Sequence, residues 1–212
     1  FCNRPVTASF KSVSGITALM ILCYSGTGNS LYAAEILAGS FGEEVVDLNN
    51  LIRWHDFSPL HSESPYVIVC PVYAWRIPRI VSDFLENTEL RGNRRVYFAV
   101  TCYTDAGSAP RYARRLCKRK GMEFMGMAAV RMPENLLTMF EVPGDAECEK
   151  LISEAGPVVR GMAAAVGMGL PLSTGMPDGF FKSSVLNPAF YAIIKPRKFR
   201  VAGDCDSCGL CA

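Results

Sequence analysis

Residues 23–30 read CYSGTGNS, and this short stretch decides the reading of everything around it. An apolar run from Ile16 to Cys23 leads into it and an amphipathic segment from Ser30 onward leads out. Between them the chain offers two turn glycines, Gly26 and Gly28, and four small polar side chains: Ser25, Thr27, Asn29 and Ser30. A strand that turns directly into a helix leaves the helix's first N–H groups unpaired, with a partial positive charge behind them. Small hydroxyl and amide residues add further donors, so the turn reads as a phosphate cradle. It holds no lysine and no Gly-Lys-Ser/Thr follows, so it is not a Walker loop. Leu31 stands where a dinucleotide fingerprint would place its third glycine. Such a loop suits a terminal monophosphate held by neutral hydrogen bonds; the plainer reading is a polar helix cap with turn glycines.

Outward from this turn, short apolar runs alternate with amphipathic ones. The expected strands are Ala18 to Cys23, Glu44 to Asp47, Tyr66 to Val72, Arg95 to Cys102 and Glu123 to Val130. The expected helices are Ser30 to Phe41, Arg79 to Leu85, Ala109 to Lys120 and Glu147 to Val166. Runs such as YVIVCPV and VYFAV are apolar on both faces, as in a parallel sheet covered by helices on both sides. The alternation predicts an α/β doubly wound domain. Residues 1–16 show no period and read as an N-terminal extension. Residues 167–203, rich in Gly and Pro at first and then apolar and basic, read as a linker or covering segment.

Composition narrows the function classes. The chain has 212 residues, half of them hydrophobic, with a net charge of +2. That balance points away from a nucleic-acid surface, and Lys118-Arg119-Lys120 reads as the cationic end of a helix. No stretch reaches the length of a membrane span and nothing marks export, so a cytoplasmic protein is expected. Nine cysteines in such a chain argue for a reducing compartment. Cys2, Cys23, Cys70, Cys102, Cys117 and Cys148 are scattered, as small buried hydrophobes or incidental thiols are. His55 and His61 lack a Cys or Glu at metal spacing and read as loop residues.

SGTGNS resembles the FMN phosphate loop of flavodoxins: a hydroxyl residue, any residue, Thr, Gly, Asn, then Thr or Ser. The resemblance covers residues 17–166. It implies a flavodoxin-like five-stranded sheet in the order 2-1-3-4-5, FMN as cofactor, and Ser25, Gly26, Thr27, Gly28, Asn29 and Ser30 around the phosphate. A sheet of that kind should bring two more loops to the flavin. One is CPVYAWRIP, residues 70–78, which resembles the Pro-x-Tyr-x-x-x-x-Pro stretch of flavodoxin-like proteins. There Pro71, Val72, Tyr73, Ala74, Trp75 and Arg76 are candidate contacts, with Tyr73 and Trp75 as stacking surfaces for a flat ring. The other is TCYTDAGSA, residues 101–109, where Thr101, Cys102, Tyr103, Asp105 and Gly107 are the candidates. Burial at a strand end suits Cys102 better than a redox role.

The remaining cysteines are Cys205, Cys208 and Cys211, in CDSCGLC. The C-x-x-C-x-x-C spacing opens a [4Fe–4S] run, although the fourth cysteine and proline that normally follow are not in the chain. Zinc would equally require a fourth ligand. A flavodoxin-like domain before such a run is similar to ferredoxins with an N-terminal flavodoxin-like domain, a family of anaerobic microbes. That resemblance implies FMN, [4Fe–4S] clusters in complete members, and ferredoxin-like or oxidoreductase redox partners. Residues 204–212 are then the incomplete start of a ferredoxin segment, and the missing initial methionine fits a boundary at the other end. The expected function is an electron-transfer flavoprotein. An FMN-dependent NAD(P)H:quinone-type reductase is the enzyme alternative, and a phosphate-ligand sensor or zinc-tailed binding module is a third.

Overall fold

The structure, a computed structural model, describes residues 18–136, 141, 143–173 and 182–193. The N-terminal extension, the cysteines of residues 204–212 and part of the covering segment lie outside these residues.

The first strand, β1 (Met20–Cys23), runs into helix α1 (Asn29–Phe41), and β2 (Val45–Asp47) is followed by a short α2 (Leu48–Arg53). Next come β3 (Leu60–Ser62), β4 (Tyr66–Pro71), α3 (Arg79–Asn87), β5 (Leu90–Gly92) and β6 (Arg95–Cys102). The chain continues through α4 (Ala109–Arg119), β7 (Glu123–Arg131) and α5 (Asp145–Gly167). A π-helical turn, Lys182–Leu186, then joins α6 (Asn187–Ile193).

Five strands form one parallel sheet in the order β2-β1-β4-β6-β7. These are the five strands the sequence predicts, so counted among themselves their order is 2-1-3-4-5, the flavodoxin-like doubly wound arrangement. β4 and β6 are buried along nearly their whole length, which explains why both read as apolar on two faces. Leu37, Val67, Val69 and Val159 belong to the core on the side of α1 and α5. Leu48, Ile68, Phe84, Phe98 and Leu116 belong to the core on the other side, under α2, α3 and α4. Among the described residues no helix is long and apolar enough to cross a membrane.

Several features depart from expectation. The stretch read only as the connection between the second and third sheet strands holds α2 and β3. β3 pairs in parallel with β5 in a small separate ribbon, Leu60 opposite Leu90 and Ser62 opposite Gly92. The Tyr66 hydroxyl lies 2.9 Å from the Leu60 carbonyl and 2.6 Å from that of Arg91, tying this ribbon to the foot of β4. A further departure is a bulge on β7: Val96 faces Phe124, but Phe98 faces Met127. Gly126 there has φ +109°, and a Cβ on it would sit 2.1 Å from the Leu172 carbonyl oxygen. The chain beyond α5 returns to this point, where the Leu172 N–H donates to the Met125 carbonyl at 2.8 Å.

Candidate functional site

In an open parallel sheet, ligands lie beyond the carboxyl ends of the strands, where the order reverses. Here β1 and β4 flank that reversal, pairing from Met20–Tyr66 to Cys23–Val69. A cavity of about 470 Å³ opens at these ends, within the roughly 300–1,000 Å³ common for small-molecule sites. Its walls come from the turn after β1 (Thr27, Asn29), the loop after β4 (Pro71 to Trp75) and the loop after β6 (Thr101 to Asp105). Two further walls were not expected: Met132 to Leu136 after β7, and Phe190 of α6.

The turn after β1 is held by its own side chains. The Ser25 hydroxyl accepts from the N–H groups of Gly28 and Leu31, at 3.2 Å each. The Asn49 amide grips Ser25 on both sides, accepting from its N–H and donating to its carbonyl, both at 2.9 Å. This contact follows from the sheet register: Cys23 lies opposite Asp47, so two residues further on Ser25 meets Asn49. Gly28 has φ +97°, a conformation that L side chains resist. No acidic residue stands in the first turn of α1, so the positive end of that helix is uncompensated. The N–H groups of Gly26, Thr27, Asn29 and Ser30 make no hydrogen bond among the described residues. The turn therefore presents a cluster of donors with room for an anion.

The loop after β7 seats itself against this turn. Asn135 donates its side-chain N–H to the Thr27 hydroxyl, and Asn29 donates to the Pro133 carbonyl at 3.0 Å. Glu134 accepts from the backbone N–H groups of Asn135 and Leu136, at 2.9 Å each. Ser30 faces inward instead: its hydroxyl is buried against that of Thr101, at 2.8 Å. Of the six phosphate-loop candidates, Thr27 and Asn29 line the cavity, while Ser25 and Ser30 brace the turn.

After β4 the backbone makes a tight two-residue hairpin. Tyr73 and Arg76 exchange both hydrogen bonds, at 2.8 and 3.2 Å. The central residues Ala74 and Trp75 have φ +46° and +63°, as in a type I′ turn, which ordinarily takes Asn or Gly. Each left-handed non-glycine residue costs roughly 1–2 kcal/mol. Tyr73, Ala74 and Trp75 line the cavity with Pro71 and Val72. Gly26 brings the two loops together, its Cβ direction ending 3.5 Å from the Tyr73 hydroxyl.

Arg76 does not line the cavity. Its guanidinium stacks 3.7 Å over the Tyr112 ring of α4 and donates to the Tyr112 hydroxyl at 2.6 Å. Gly107 is also outside the walls, buried and donating to Asp105 at 2.8 Å. Tyr103 lies at the rim, its hydroxyl donating to Glu147 at 3.1 Å. That bond, with the carboxylate's charge, holds the phenol above its usual pKa. Cys102 is pushed up to about 11 by burial, with Asp105 adding to the effect. It stays protonated near neutrality and is a poor nucleophile there.

Among the described residues no Lys, Arg or His lines the cavity, whereas Asp105 and Glu134 both do. Among the described residues no group of three or more His, Cys, Asp or Glu side chains could hold a metal; Cys205, Cys208 and Cys211 lie outside them.

No protein-family model matches the chain, and no curated protein matches it. Among solved structures, the two-electron reduced flavodoxin of Megasphaera elsdenii is similar over 66% of this chain and 98% of its own, at 16% identity and a TM-score of 0.40. An FMN-dependent NADH-azoreductase of Bacillus anthracis aligns over 70% of this chain and 99% of its own, at 10% identity and a TM-score of 0.42. An NAD(P)H:quinone oxidoreductase of Methanothermobacter marburgensis aligns over 68% and 98%, at 11% identity and 0.39. Likenesses this distant leave the function to the geometry of the site.

Proposed function

We propose that this chain is an FMN-binding electron-transfer protein. The observation that carries the reading is the joining of two features at one strand-end cavity: a turn with unpaired N–H donors, and a wall bearing Tyr73 and Trp75. A monophosphate matches the first and a flat isoalloxazine the second. The residues fit that group: Gly26 and Gly28 keep the turn open, and Gly28 has nothing within 4 Å of its Cβ direction. When bound, FMN supplies the redox chemistry, and the protein supplies anchoring, stacking and electrostatics. The carboxylates of Asp105 and Glu134 in the cavity wall disfavour added negative charge on a ligand and favour a low reduction potential.

The electron's next carrier in this reading is a [4Fe–4S] cluster of a ferredoxin module, with Cys205, Cys208 and Cys211 as part of its ligand set. Protein redox partners, ferredoxin-like or oxidoreductase, follow from the same reading. The reductase alternative draws on one observation: the stacking wall is partly open, with Tyr73 38% exposed, so a second substrate could reach the ring. Reduction of the bound flavin by NADH or NADPH without oxygen separates the two readings.

The test of the central claim is Thr27→Ala combined with Asn29→Ala. The pair removes two wall side chains and also frees the loop after β7. FMN affinity should fall by at least about tenfold, or roughly 1.4 kcal/mol, with the circular dichroism spectrum retained. Unchanged affinity, or a wild-type protein that releases no FMN on denaturation, refutes the assignment.

A further inference from the structure

The segment after residue 181 was expected to cover the domain, yet it grips the most strained part of the candidate site. Asn187, the first residue of α6, is 1% exposed. Its amide donates to the Ala74 carbonyl at 2.8 Å and to the Tyr73 carbonyl at 3.3 Å. Both acceptors belong to the hairpin whose central residues, Ala74 and Trp75, are held in the left-handed region without glycine. The same segment reaches the other side of the hairpin indirectly. Ser184 lies 3.1 Å from the Tyr112 hydroxyl, which in turn accepts from Arg76. Phe190, three residues after Asn187, lines the cavity itself.

We infer that Asn187 is a positioning residue of the cofactor site: its amide holds the Tyr73–Arg76 turn in the form that presents Tyr73 and Trp75 to the ligand, while Phe190 closes the cavity. The inference rests on the flavin reading for the identity of that ligand. A backbone held in a sparsely populated conformation persists only where its surroundings over-determine it. An Ala-Trp pair has no intrinsic preference for a type I′ turn, so the restraint must come from outside. Among the described residues the Asn187 amide contacts both of the successive carbonyls whose peptide planes would swing if the turn relaxed. The Asn187 Oδ1 atom is buried and makes no hydrogen bond among the described residues. A site selected for stability alone would avoid burying an amide with its acceptor unmet.

The experiment compares Asn187→Ala, Ala74→Gly and the double variant, all in a Trp54→Phe background that leaves Trp75 as the one remaining tryptophan of two. FMN affinity is read by quenching of flavin fluorescence, and the hairpin is read without cofactor by acrylamide quenching of Trp75. Asn187→Ala should weaken FMN binding about tenfold and make Trp75 more accessible, as a released left-handed pair would relax. Glycine tolerates the left-handed region, so Ala74→Gly should recover most of both effects in the double variant. Unchanged affinity and quenching in Asn187→Ala, or losses that Ala74→Gly does not recover, overturn the proposal; the latter would mean that Asn187 merely anchors α6. If the wild type binds no FMN, the flavin reading fails and the apo quenching series still decides whether Asn187 holds the turn. If Asn187→Ala does not fold alone, folding of the double variant supports the proposal and its failure to fold counts against it.

Discussion

Replacing Asn49 with alanine should show how far the phosphate turn depends on a side chain outside it. Asn49 makes two hydrogen bonds to Ser25, one to the N–H and one to the carbonyl, each 2.9 Å long and partly buried. A net hydrogen bond contributes about 0.5–1.5 kcal/mol, so losing the pair costs about 1–3 kcal/mol. A second cavity of about 460 Å³ borders both Ser25 and Asn49. Water can therefore reach the freed groups, which places the expected loss in unfolding free energy in the lower half, near 1–2 kcal/mol. Ser25 also fixes Gly28 and Leu31 through its hydroxyl. The turn should then become less ordered, and FMN affinity should fall by about tenfold. Urea unfolding gives the first quantity and flavin fluorescence titration the second. Asn49→Asp adds a control. It keeps the acceptor for the Ser25 N–H but sets an anion against the Ser25 carbonyl and near the phosphate, so its loss of affinity should be larger and should shrink with added salt. Stability and affinity both at the wild-type level in Asn49→Ala would show that the turn is self-supporting and that Asn49 does not hold it.

Stability should also fall on the alkaline side. Burial pushes Cys23 and Cys117 up to about 12 and Cys102 up to about 11. These thiols stay protonated in the folded chain after their unfolded counterparts ionise. Their contribution is complete below the ordinary thiol pKa near 8.5 and is lost as pH rises toward 11–12. Denaturant unfolding at pH 8 and pH 10 should give a lower free energy at pH 10, and equal values would contradict the burial of these groups. Gly126→Ala should destabilise by at least about 3 kcal/mol, because its Cβ would press on the Leu172 backbone at 2.1 Å in a left-handed conformation. In contrast Gly39→Ala, with open space around it inside α1, should stabilise by up to about 1 kcal/mol; thermal melts of the two variants check both signs.

These cases show which parts of the molecule could be read from residues alone. β4 and β6 announced themselves because each is apolar on both faces. The turn after β1 did so because glycines and small polar residues are concentrated there. Once the sheet order is granted, even Asn49 becomes readable, since the pairing of Cys23 with Asp47 carries it to Ser25. By contrast β3 and β5 are only three residues long, too short to show a period of two. The hairpin at Ala74 and Trp75 gave no turn signal because neither residue favours positive φ. Its restraint comes from Asn187, 113 positions away, and no local pattern can encode a contact at that distance. Phe190 and the loop from Met132 to Leu136 were missed for a related reason. They enter the cavity through tertiary packing, and their own composition is that of ordinary covering segments.

The small ribbon of β3 and β5 has a consequence of its own. Tyr66 fastens it to the foot of β4, while the cavity lies at the opposite ends of the same sheet strands. Durability and chemistry are thus lodged at opposite poles of one scaffold. Natural variation or laboratory evolution confined to the ribbon could raise or lower the melting temperature and leave the cofactor's surroundings unchanged. The strand-end loops could likewise be retuned for a different potential or acceptor, with the ribbon still closing the foot of the sheet.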